Sequence, residues 1–162
     1  MRTIAEFSLV RIDDRLIHGQ VVAVWVKHIR TERIVIVDDG VAKDPFMQEV
    51  LRLAAPPGIK VDVRTVQEAI ATLGEGSPER DRTMLLLKSP QAARQLFDGG
   101  VRFSHLNIGG LGSGPGRKLV FKNISMSDEE KEILKSLLKD GVRITLQTVP
   151  GEQCVDFSAL VK

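Results

Sequence analysis

The run Arg11-Ile12-Asp13-Asp14-Arg15-Leu16-Ile17-His18-Gly19-Gln20 places two arginines, two aspartates and a histidine within ten residues. An imidazole is a nucleophile at nitrogen and, once phosphorylated, a high-energy phosphoryl donor. Arg11 or Arg15 can neutralise phosphoryl oxygens in bidentate fashion. Asp13 or Asp14 can hold the ring in the tautomer that leaves the attacking nitrogen free. Gly19 removes side-chain bulk beside the acceptor. A helix opening near His18 would turn unpaired N–H groups and the positive end of its dipole toward a bound phosphoryl group. These residue types fit phosphoryl transfer through His18. They also fit an ordinary capped turn with local ion pairs, or a non-catalytic α/β module that binds a phosphorylated metabolite in the same place.

Other candidates are weaker on chemical grounds. Ser89 precedes Pro90, where its hydroxyl caps a helix; if the preceding strand lies beside the first, that hydroxyl could also reach a phosphoryl group on His18. The glycine-rich stretch Gly109–Lys118 fails as a nucleotide loop: Arg117 stands where a lysine would follow Gly116. Counting GxGxxG from Gly110 or Gly112 ends on Pro115 or Arg117. No nucleotide or other cofactor is expected, and the stretch reads as a flexible connection near the site, with Arg117 and Lys118 available to an acidic partner surface. His28 lies about 280° around a helix from His18 at roughly 100° per residue, so the two do not share a face. His105 precedes a strand at the far end of the sheet, Trp25 reads as packing under the first helix, and Cys154 as an idle thiol. Scattered histidines without HExxH or CxxC spacing give no metal site. Without a nucleophile elbow, a hydrolase has no support.

The elements that must position this loop follow from hydrophobic patterning. Short apolar runs at Phe7–Ile12, Arg33–Val37, Ile59–Val63, Thr83–Leu87, His105–Ile108, Leu119–Ile124 and Val142–Val149 read as strands. Between them, Asp44-Pro45 and Ser89-Pro90 each place a side-chain cap before a proline suited to the first helical position, and Ser127-Asp128-Glu129-Glu130 is a capping box. Gly99-Gly100 and Gly141 stand where helices would stop. The alternation predicts an α/β fold: a mostly parallel sheet of about seven strands with helices on both faces and one late strand free to run antiparallel. Gly74–Arg82 and Gly109–Lys118 read as the two clear loops. In such sheets ligands bind beyond the carboxyl ends of the strands, which directs attention to residues 13–18, 38–44, 88–90 and 109–118.

Composition bounds the rest. A chain of 162 residues with 43% hydrophobic and 27% charged residues fits one globular domain spanning residues 1–162. The formal charge of +2 is too balanced to indicate a nucleic-acid surface. One cysteine excludes a disulfide scaffold. No apolar run approaches the ~20 residues of a membrane span, and the first residues lack the apolar core of a secretory signal, so the expected location is cytoplasmic.

The stretch from Val10 to Val21 closely resembles the phosphorylation-site segment of the enzyme IIB component of mannose/fructose/sorbose-type phosphotransferase systems. The resemblance continues through Trp25, Asp38-Asp39, Lys88-Ser89-Pro90, Asn107-Ile108-Gly109-Gly110 and Gly141–Pro150. It implies a phosphocarrier with a mostly parallel seven-stranded sheet, in which the histidine matching His18 accepts a phosphoryl group from a IIA component. That group then passes to a sugar entering through the membrane IIC and IID components. Arg11, Asp14, Arg15 and Gln20 become candidates for binding phosphate or orienting the ring. The resemblance further implies a protein held peripherally at the inner face of the membrane by IIC and IID. It leaves the sugar open, and a homodimer possible.

Overall fold

Strands covered on both faces need apolar side chains at successive positions rather than at alternate ones, and the central strands here meet that demand. The structure, a computed structural model, describes residues 6–19 and 21–161. In chain order the elements are β1 (Leu9–Asp13), α1 (Val21–His28), β2 (Arg33–Val37), the single turn α2 (Asp39–Ala42), α3 (Pro45–Ala54), β3 (Lys60–Arg64) and α4 (Val66–Thr72). There follow a 3-10 turn (Pro78–Arg80), β4 (Thr83–Leu87), α5 (Pro90–Asp98), β5 (His105–Gly110), β6 (Lys118–Phe121), β7 (Ile124–Met126), α6 (Asp128–Lys139), β8 (Arg143–Leu146), β9 (Val155–Asp156) and α7 (Phe157–Leu160).

Seven strands form one sheet in the order β3-β2-β4-β1-β5-β8-β9, parallel except for the pairing of β8 with β9. Alternate residues of each strand feed different cores. Ile34, Ile36, Met84 and Leu86 pack with Val22, Trp25, Val41 and Leu51 on one face. Val35, Val37, Leu85 and Leu87 pack with Ala69, Leu96, Leu134 and Phe157 on the other. The expected caps are present: Asp44, Ser89 and Ser127 each accept a backbone N–H at the head of their helix, and Ser127 with Glu130 completes the capping box.

Three expectations need correction. Leu119–Ile124 is not one strand: β6 and β7 make a separate antiparallel hairpin that turns at Lys122-Asn123, where Lys122 takes a φ of 47°. The polar pair breaks the apolar run. The seventh strand of the main sheet is instead β9, whose two residues are too few to show a pattern. Finally, the first helix opens at Val21 rather than near His18.

β1 also runs one residue further than its apolar run, so Asp13 belongs to the sheet. At this carboxyl end the pairing with β5 shifts: Ile12 faces Ile108 but Asp13 faces Gly110, leaving Gly109 as an extra residue in β5. Such bulges bend a strand and re-aim the side chains beside it.

Candidate active site

Residues two apart on a strand share a face, so Arg11 and Asp13 project together beneath α1. Both are fully buried. The Arg11 guanidinium donates through Nη1 to Asn107 Oδ1 (2.6 Å) and the Gln147 carbonyl (3.1 Å), and through Nη2 to Asp13 Oδ2 (3.2 Å) and the Thr148 carbonyl (2.9 Å). It also lies 5.3 Å from the centre of the Trp25 ring, whose Nε1 donates to the same Thr148 carbonyl at 2.9 Å. Burial pushes the Arg11 pKa down to about 10, against the opposing pull of Asp13. Arg11 is thus spent on tying β1 to β5, to the segment after β8 and to α1.

Room for this guanidinium comes from Gly109: a Cβ there would overlap it. At Gly110 a Cβ would sit 2.8 Å from both Asp13 Oδ1 and Arg15 Nη2. These two glycines, read from sequence as part of a flexible connection, lie in β5 and are the floor on which the charged groups rest.

Asp13 faces the other way as well. Its carboxylate accepts from the Arg15 backbone N–H (3.1 Å), from Arg15 Nε (3.1 Å) and from Arg15 Nη2 (3.3 Å). The Arg15 side chain is 44% exposed, so a buried anion holds a surface guanidinium in place. Asp14 accepts from the Gly112 backbone N–H at 2.8 Å. Gly112 in turn offers its carbonyl to Arg117 Nη1 (2.9 Å), while Arg117 grips the nearly buried Glu130 through Nε (2.9 Å) and Nη2 (3.0 Å). Arg117 therefore clamps the glycine-rich loop to α6 instead of standing free for a partner.

The chain turns sharply after β1. Leu16 takes a φ of 58°, and its backbone N–H donates to the Asp13 carbonyl at 2.9 Å. A left-handed non-glycine residue costs about 1–2 kcal/mol. Burying a leucine side chain contributes about 1.5–3 kcal/mol, and Leu16 and Ile17 are both inserted into the core with Trp25 and Val22. Burial outweighs strain, and the turn is pinned with His18 at its far side.

The His18 ring is half-buried, with Nδ1 3.3 Å from the Leu16 carbonyl. A carbonyl only accepts, so a hydrogen bond in this contact has Nδ1 as its donor. Nε2 is covered and has no partner among the described residues. Neither Asp13 nor Asp14 bonds the imidazole, and a backbone carbonyl stands where a carboxylate was expected. Gly19 is exposed at a φ of 49°, with open space where its Cβ would be. Its need is for that backbone conformation, not for the removal of bulk. Gln20 lies outside the described residues. Ser89 follows β4, which does neighbour β1, but its hydroxyl accepts the Ala92 N–H at 3.2 Å as a helix cap.

Two open depressions of about 430 Å³ flank the Asp14-Arg15 turn, one reaching Gly110, Gly112 and Asn123, the other reaching Asp38, Asp44, Met47 and Lys88. A third depression, of about 580 Å³, lies at the opposite ends of β2, β3 and β4, lined by Arg33, Lys60, Glu79 and Thr83, with Arg33 ion-paired to Glu79. Among the described residues no group of three or more His, Cys, Asp or Glu side chains could hold a metal ion.

The model of the PTS system sorbose subfamily IIB component matches residues 7–162. The chain belongs to this family of IIB components. It is 36% identical over 152 residues to the sorbose-specific EIIB component of Klebsiella pneumoniae, covering 94% of this chain and 93% of that one. The crystal structure of the IIBSor domain of the sorbose permease from that organism superposes with a TM-score of 0.89 at 35% identity, over 96% of each chain. The mannose-specific EIIAB component of Escherichia coli K12 is 35% identical over 95% of this chain, which spans 48% of that longer protein. As a family, IIB components are sugar-specific phosphotransferase-system proteins.

Sequence reasoning placed the charged loop of this IIB component after the first strand, where it stands. It missed Asn107, Gly109 and the carbonyls of residues 147 and 148 as the supports of that loop. In hindsight Gly109-Gly110 was the available signal: glycine within a strand marks a bulge or the close approach of another group. Among the described residues no helix is long and apolar enough to cross a membrane.

Proposed function

We propose that this IIB component, a single domain over residues 1–162, is a phosphocarrier whose acceptor is His18. An imidazole nitrogen attacks the phosphorus held by a IIA component; the bond from phosphorus to the donor group breaks as a phosphorus–nitrogen bond forms. In the second transfer a sugar hydroxyl, delivered through membrane IIC and IID components, attacks the same phosphorus; the phosphorus–nitrogen bond breaks, the ring recovers its lone pair and the hydroxyl proton is released to solvent. Docking to those components would hold the protein at the inner face of the membrane.

The observation that carries this reading is the Arg15 guanidinium, half in solvent beside the histidine turn and held from below by buried Asp13. Two of its nitrogens are engaged by Asp13, and its remaining N–H groups can take phosphoryl oxygens. Phosphoryl transfer between two nucleophiles depends mainly on positioning and charge stabilisation, and a pinned surface turn with a pre-oriented cation supplies both.

The test is intact-mass spectrometry at alkaline pH after incubation with phosphoenolpyruvate, enzyme I, HPr and a cognate IIA. One acid-labile phosphate is expected on the wild type and none on His18→Ala. A phosphorylated cognate IIA that leaves the wild type unmodified would refute the carrier role and favour reversible binding of a phosphorylated metabolite.

A further inference from the structure

The β6–β7 hairpin is fastened to the carboxyl end of the sheet from both sides. The Ser125 backbone N–H donates to the Leu111 carbonyl, just beyond β5, at 2.8 Å. The Thr148 hydroxyl, just beyond β8, donates to Asn123 Oδ1 at 3.2 Å. Asn123 stands with Lys122 in the hairpin's turn. It is exposed and lines the depression of about 430 Å³ that also holds Arg15, Gly110 and Gly112.

The Thr148 contact fixes what this amide has to offer. A side-chain amide carries an acceptor oxygen and two N–H donors on one carbon. The hydroxyl proton occupies the oxygen, so the N–H groups are what Asn123 presents to a ligand. Among the described residues the bond from Thr148 is the only one this side chain makes. The Thr148 carbonyl already receives Arg11 and Trp25, so one residue both holds the buried arginine and orients an amide at the surface. Donors held in this way need little reorganisation when negative charge arrives.

The other groups in the depression narrow the choice of ligand. Arg15 keeps N–H groups beyond those that Asp13 takes. The Asp14 carboxylate accepts from the Gly112 N–H at 2.8 Å and has Arg117 Nη1 3.8 Å away, so its charge is countered from behind. Gly110 and Gly112 add no side chains of their own. A cationic donor and a neutral one beside bare backbone suit a small anion with several acceptor oxygens. A phosphoryl group in transit to His18 is such an anion. Resting on the phosphocarrier reading above, we propose that Asn123 is a further catalytic residue, donating an amide N–H to a phosphoryl oxygen beside Arg15, and that Thr148 positions it.

Rapid-quench transfer from a phosphorylated cognate IIA tests this, with the IIA concentration varied so that the maximal rate and half-saturation separate, and far-UV circular dichroism confirming the fold of each variant. Asn123→Ala should lower the maximal rate about 10-fold and leave half-saturation within ~2-fold of wild type. Asn123→Asp keeps the bond from Thr148 but replaces the N–H donor by a carboxylate oxygen, and should be slower than Asn123→Ala. Thr148→Val frees the amide and should slow transfer ~3-fold, with no further loss once Asn123→Ala is in place. A wild type that takes no phosphate overturns the carrier reading and this inference with it. With the wild type phosphorylated, four results overturn this inference alone: Asn123→Ala as fast as wild type, Asn123→Asp no slower than Asn123→Ala, an effect confined to half-saturation, or a Thr148→Val loss undiminished by Asn123→Ala.

Discussion

Replacing Gly109 by alanine tests the buried charge network with a single methyl group. The new Cβ falls on the Arg11 guanidinium, which cannot swing aside because it is buried and makes four hydrogen bonds. A hydrogen bond to a charged group contributes about 1.5–3 kcal/mol, and depriving a buried charge of its partner costs about 3–5 kcal/mol. These describe one displacement and are not summed; the expected loss is about 3–5 kcal/mol, a large share of the ~5–15 kcal/mol available to a domain. Urea denaturation followed by far-UV circular dichroism and by Trp25 emission should show a lower midpoint with an unchanged slope. Gly112→Ala is the control, since its Cβ would stand 3.4 Å from Asp14 Oδ2, and its cost should stay under ~1 kcal/mol. With Arg11→Met already in place, Gly109→Ala should also cost less than ~1 kcal/mol, because the obstruction is gone. The reasoning fails if Gly109→Ala unfolds at the wild-type midpoint, or if its cost is the same with and without Arg11.

Arg15→Gln removes the charge at the proposed phosphoryl site while leaving the turn buried through Leu16 and Ile17. Transfer from phosphorylated IIA to His18, timed by rapid quench, should slow by about 10–100-fold, the kinetic equivalent of ~1.5–3 kcal/mol. An unchanged rate would remove Arg15 from the site. At the other end of the sheet, burial holds His105 below its ordinary value of 6.5, Arg143 adds to the effect and Asp156 opposes it. The unfolded chain then binds the proton more readily, so this residue costs stability once the pH falls below the ordinary histidine range, and costs nothing above it. An NMR titration of the His105 ring should give a midpoint below 6.5; a midpoint above that value would contradict the assignment.

The parts of the fold that were legible in the sequence are those governed by local rules. β2 and β4 announce themselves as unbroken apolar runs because both faces are covered, and the caps Asp44, Ser89 and Ser127 act within three residues of themselves. The supports of the site obey no local rule. Arg11 meets Asn107 across 96 residues and the Thr148 carbonyl across 137, and a backbone carbonyl leaves no trace in residue type. Asp13 and Asp14 looked equivalent on the page. One extra residue in β5 turns the first into a buried anchor for two arginines, while the second reaches across to Gly112. Leu119–Ile124 misled because β-propensity carries no information about a reversal at Lys122-Asn123.

The strand order also sets a timetable for synthesis. β1 precedes both β4 and β5 in the chain yet lies between them, so on the ribosome it has no neighbour in the sheet until β4 has emerged. β2 and β3, adjacent in both sequence and space, can associate early. The carbonyls that receive Arg11 come later still, at Gln147 and Thr148. Until they arrive, a nascent chain holds a cation with nowhere dry to go. The turn that carries His18 is thus translated well before the segments that support it, and pairing across such separations is slow.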